Sequence, residues 1–88
     1  MKEHLITVDV HAHWGTTPPR YRIYVDNHLL TERDFVWAGH EIYIRENISV
    51  RLNAGPHKLI VEQIGDSGKI IIKNVTVDGV PADVNFVT

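Results

Sequence analysis

Apolar and polar residues alternate with a period of two along most of this chain. Ile6, Val8, Val10, Ala12 and Trp14 fall on one parity, and Thr7, Asp9, His11 and His13 on the other. That alternation predicts a strand with one dry and one wet face. Gly15-Thr16-Thr17-Pro18-Pro19 ends it, because consecutive prolines cannot join a sheet interior. Tyr21, Ile23 and Val25 then share one face of a second strand, with Arg20, Arg22, Tyr24 and Asp26 on the other. Asp26-Asn27-His28 reads as a turn, since Asp and Asn tolerate left-handed backbone.

Extended structure resumes from Leu29 to Trp37 and breaks at Ala38-Gly39. Ile42 and Ile44 oppose Glu41, Tyr43 and Arg45; Glu46-Asn47 reads as a bend or bulge; Ile48, Val50 and Leu52 form the next inward set. Asn53-Ala54-Gly55-Pro56 is a strong turn. It precedes strands over 58–64 and 69–77, separated by Gly65-Asp66-Ser67-Gly68. Asp78-Gly79 closes the last of these, and the tail from Val80 to Thr88 has room for one short terminal strand. No window carries the i, i+3, i+4, i+7 apolar stripe of a helix. The expected fold is all-β: about seven or eight short antiparallel strands forming a small β-sandwich or barrel. Jelly-roll and immunoglobulin-like topologies both give this spacing.

Eighty-eight residues suffice for one core, so residues 1–88 read as a single domain. An apolar fraction of 43% and a charged fraction of 23% are ordinary for a globular chain. There is no cysteine, which removes disulfides, thiolate zinc sites and thiol catalysis together. The net charge of −2 is not the footprint of a nucleic-acid binder or of a protein for anionic membranes. No apolar run is long enough to span a bilayer. The start, Met1-Lys2-Glu3-His4, has no apolar signal core, so synthesis in a cytoplasm is expected.

Chemistry-bearing groups are few. His11 and His13 form an H-x-H on a wet strand face, where alternate residues point the same way, with Asp9 as a third ligand for a metal. The plainer reading is an exposed polar face. His4, His28, His40 and His57 are scattered over a strand start and turns. Asp66, Asn74 and Asp78 offer oxygen ligands for calcium, or simply the residues that tight hairpins need. No nucleophile elbow, phosphate loop or dinucleotide fingerprint occurs. No catalytic residue, cofactor or resident metal is therefore expected. Trp14 falls on a dry face and reads as core. Arg20, Arg22 and Tyr24, together with Trp37, are the candidate partner-binding residues, because aromatic and arginine side chains dominate protein contacts.

Two resemblances attach to the middle of the chain. Tyr24 to Asn27, Asn53 to Val61 and Asn74 to Val80 resemble the scaffold of jelly-roll carbohydrate-binding modules that bind xylan with calcium. That family's run of acidic ligands before the last strand is not matched, since only Asp66 and Asp78 are at hand. More specifically, Tyr21-Arg22-Ile23-Tyr24-Val25-Asp26 and Leu30-Thr31-Glu32-Arg33-Asp34-Phe35-Val36-Trp37 are similar to small virion structural proteins of tailed cyanobacterial phages. Glu46-Asn47, Gly55-Pro56-His57 and Val61-Glu62 follow in the same order. This second resemblance implies a non-enzymatic capsid decoration or cement protein, made in the host cytoplasm and carried on the virion. Its partners would be capsid or other virion proteins, with further copies of itself as a homo-oligomer. The first resemblance implies the alternative, a module recognising surface glycans.

Overall fold

The computed structural model describes residues 1–36 and 42–88. Eight strands follow one another: β1 (Lys2–His13), β2 (Arg20–Val25), β3 (His28–Asp34), β4 (Tyr43–Leu52), β5 (Pro56–Ile64), β6 (Lys69–Val77), β7 (Val80–Pro81) and β8 (Asn85–Val87). They form two four-stranded antiparallel sheets, ordered β4-β1-β6-β7 and β3-β2-β5-β8. This is a β-sandwich, and no helix occurs among the described residues.

The alternation sets which face is buried. Ile6, Val8, Val10 and Ala12 of β1 meet Tyr21, Ile23 and Val25 of β2 across the interior, with Ile48, Leu52, Leu59 and Phe86 around them. Fully burying one such side chain contributes on the order of 1.5–3 kcal/mol. Phe35, just past β3, is fully buried, and its amide donates to the Pro19 carbonyl (2.8 Å). Trp14 lies beyond β1, half-buried against this core.

Among the described residues two connections are tight hairpins within a sheet, β2–β3 at Asp26-Asn27 and β6–β7 at Asp78-Gly79. All four turn residues have positive φ (51°, 71°, 53° and 80°), which marks the type I′ turn whose twist suits a two-residue hairpin. The other five connections each join a strand of one sheet to a strand of the other. The β5–β6 crossing is held by Gln63, whose side-chain amide donates to the carbonyls of Ser67 (3.1 Å) and Gly68 (3.0 Å) and accepts from the Ile70 amide (3.1 Å). Gly68, at φ 73°, lies so close to Trp14 that a Cβ there would meet the His13 carbonyl oxygen at 2.6 Å.

Three details differ from the alternation read along the chain. β3 ends at Asp34, and Trp37 lies outside the described residues. The tail forms two short strands where one was expected, because Asp78-Gly79 folds Val80-Pro81 back onto β6. Finally, β4 runs unbroken through Glu46-Asn47; the irregularities fall between Thr7 and Asp9 against β6 and between Ile23 and Tyr24 against β3. Asn74, on β6 opposite the first irregularity, takes the left-handed backbone at φ 55° that a bulge needs.

Candidate interaction surface

Arg20, Arg22 and Tyr24 project from the outer face of the β3-β2-β5-β8 sheet, on the parity opposite buried Tyr21, Ile23 and Val25. Register builds three cross-strand rows there. Asp34, Arg20 and Ile64 form the first, Glu32, Arg22 and Glu62 the second, and Leu29, Tyr24 and Ile60 the third. The arginines are engaged within their own sheet. Arg20 donates from Nε to Asp34 (2.9 Å), and Arg22 from Nε to Glu32 (3.0 Å). These hydrogen bonds raise both guanidinium pKa values, and the bond from Arg20 lowers that of Asp34. Exposed pairs of this kind add little to stability, but they hold long side chains in place.

The third row is different. Leu29 is exposed, Tyr24 and Ile60 are half-buried, and a shallow depression of about 150 Å³ lies between Tyr24, Asn27, Ile60 and Glu62. The face therefore grades from a charged lattice, two arginines among Asp34, Glu32 and Glu62, to an apolar row centred on an aromatic ring. Three of the four residues singled out from the sequence share this face; the fourth, Trp37, is the one outside the described residues.

The opposite outer face carries the H-x-H. His11 stacks on its cross-strand neighbour Tyr43, with ring centroids 5.1 Å apart and planes at 25°. Asp9 is not the exposed third ligand the alternation suggested, being only 2% exposed. It accepts from Arg45 Nε (2.8 Å) and from the Asn74 side chain (2.9 Å). The Arg45 hydrogen bond outweighs burial and lowers the Asp9 pKa. Because both oxygens already have donors, Asp9 does not complete a site with His11 and His13. No group of three histidine or acidic side chains converges on a metal position among the described residues. Asn74 and Asp78 are likewise engaged elsewhere, Asp78 with His4 (2.6 Å) and with the Leu5 amide (2.9 Å).

Two buried polar features were invisible in the alternation. At the β3/β4 side of the sandwich, Arg33 Nη2 meets Glu46 Oε1 at 2.9 Å, linking the two sheets. The Tyr21 hydroxyl is buried without a hydrogen-bond partner. Burial first, and then the Glu46 charge, raise its pKa and outweigh the opposing effect of the neighbouring Arg33, so the hydroxyl stays neutral. Glu46 shares the parity of Ile44 and Ile48, which was the available signal; reading Glu46-Asn47 as a bend concealed it. At one end of the sandwich, both His57 ring nitrogens face acceptors, Asp26 on one side and the Asn53 carbonyl (2.7 Å) on the other.

Comparison with protein-family models, with curated proteins and with solved structures finds no match to this chain.

Proposed function

We propose that this domain is a non-enzymatic virion structural protein of the capsid decoration type, which docks on capsid subunits through the outer face of its β3-β2-β5-β8 sheet. The observation that carries the reading is the graded face itself. Leu29, Tyr24 and Ile60 make an apolar row, and the two adjoining arginines are already paired within the sheet. Protein interfaces have this anatomy: an aromatic anchor at the centre, and a polar rim that need not be stripped of partners on docking. A small disulfide-free domain also gains stability when a large partner binds only its folded form. The virion as location and capsid proteins as partners belong to the same proposal and rest on the sequence resemblance.

Co-sedimentation with purified particles or empty capsids of a tailed cyanobacterial phage tests it. Saturable binding at a fixed copy ratio is expected. Tyr24→Ala should weaken it roughly tenfold or more, since truncating an interface anchor costs about 2 kcal/mol. Arg22→Ala should leave the fold intact and weaken binding less. A well-folded protein that does not co-sediment sinks the proposal, and a glycan array with and without calcium then tests the carbohydrate alternative.

A further inference from the structure

We propose that the free edge of β4 is a self-association surface, where two copies of this chain pair β4 with β4 antiparallel about a two-fold axis through Asn47. This rests on the other sheet from the capsid-docking face and does not depend on that reading. β4 is ten residues long, stands at the end of its sheet and pairs with β1 on one side. Among the described residues no backbone hydrogen bond is made on its other side.

An unpaired strand edge is a template for another strand unless something blunts it. Of the usual devices, β4 carries only charged side chains, Arg45, Glu46 and Arg51. β4 has no proline, glycine or lysine, and its register with β1 is continuous. Its inward charge, Glu46, is neutralised by Arg33. The remaining edges are blunted: β3 carries a register shift against β2, while β7 and β8 are two and three residues long and β7 ends in Pro81.

Side-chain charge then selects the register. An antiparallel pair about a two-fold axis continues both sheet faces, so each residue meets one of the same parity. Centred on Asn47, Arg45 lies opposite Ser49 of the second copy, Tyr43 opposite Arg51, Ile44 opposite Val50, and Glu46 opposite Ile48. The Tyr43–Arg51 pair allows a cation–π contact. Moving the centre to Glu46 puts that carboxylate against its own copy; moving it to Ile48 puts Arg45 against Arg51. Like charges directly opposite each other are destabilising. Of these neighbouring registers, only the one through Asn47 avoids such a clash, and it still uses nearly the whole strand.

Sedimentation equilibrium from micromolar to millimolar protein is the first measurement, and a species of twice the 10.0 kDa chain mass is expected. Ser49→Arg sets a second guanidinium against Arg45, twice by symmetry, so it should raise the dimer dissociation constant roughly tenfold without moving the thermal midpoint of the monomer. The chain has no cysteine, so introduced ones report alone. Asn47→Cys should give a disulfide-linked dimer on mild oxidation. Ser49→Cys should not, because its two copies would lie roughly four strand positions, about 13 Å, apart. A monomer across the whole range overturns the proposal. So does a dimer that Asn47→Cys fails to link and Ser49→Arg fails to weaken.

Discussion

Arg33→Ala removes one half of the ion pair between the sheets. Glu46 has a side chain only 5% exposed, whereas Arg33 is 48% exposed. After the substitution the carboxylate stays inside without its partner. Breaking a buried pair typically costs about 3–5 kcal/mol. Arg33 is half in water, and water can enter the space it leaves, so about 2–3 kcal/mol is expected here. A domain of this size has on the order of 5–10 kcal/mol in total. Each kcal/mol moves its melting midpoint by about 4–8 °C, which places the expected drop at roughly 10–20 °C. Adding Glu46→Leu to Arg33→Ala should recover most of the loss, because the cost lies in the stranded charge. Arg20→Ala is the comparison. It breaks an ion pair of the same 2.9 Å length between exposed partners and should barely move the midpoint. Urea unfolding of the variants, checked for an unchanged m-value, measures all of this. Equal losses for Arg33→Ala and Arg20→Ala would refute burial as the deciding quantity.

Three further outcomes follow from the same structure. The hydrogen bond to Asp26 raises the His57 pKa, so its stabilising contribution is complete below the ordinary histidine value and is lost as pH rises through the raised one. Burial pushes Asp26 up, but its bonds to His57 and the Lys58 amide lower it overall, so its contribution is lost only as pH falls through that depressed value; melting midpoints across pH should show both limbs, and His57→Gln should abolish the upper one. Val8→Asp puts a charge at a fully buried position and should cost several kcal/mol, leaving no cooperative unfolding by circular dichroism. Gly68→Ala combines a left-handed backbone with a clash against the His13 carbonyl and should lower stability by about 1–3 kcal/mol, read from the urea midpoint.

Much of the architecture could be read before any coordinates, because strand parity is a local property. Ile6, Val8, Val10 and Ala12 had to share a face once the segment was extended, and so did Tyr21, Ile23 and Val25. Asp26-Asn27 and Asp78-Gly79 likewise announced their turns, since only such residues take paired left-handed conformations cheaply. The same parity placed Arg20, Arg22 and Tyr24 together on one outer face. Parity says nothing about neighbours distant in the chain. That Arg20 and Arg22 are neutralised by Asp34 and Glu32, that Leu29 and Ile60 flank Tyr24, and that Arg45 and Asn74 cover Asp9 are all consequences of strand order and register. Glu46 shows the division most sharply. Its sequence position points it inward, where a lone carboxylate would be prohibitive, and only the approach of Arg33 from the facing sheet makes that position tenable. Local sequence determined the faces of the strands; the pairing of two sheets across the core decided which charges could be buried between and upon them.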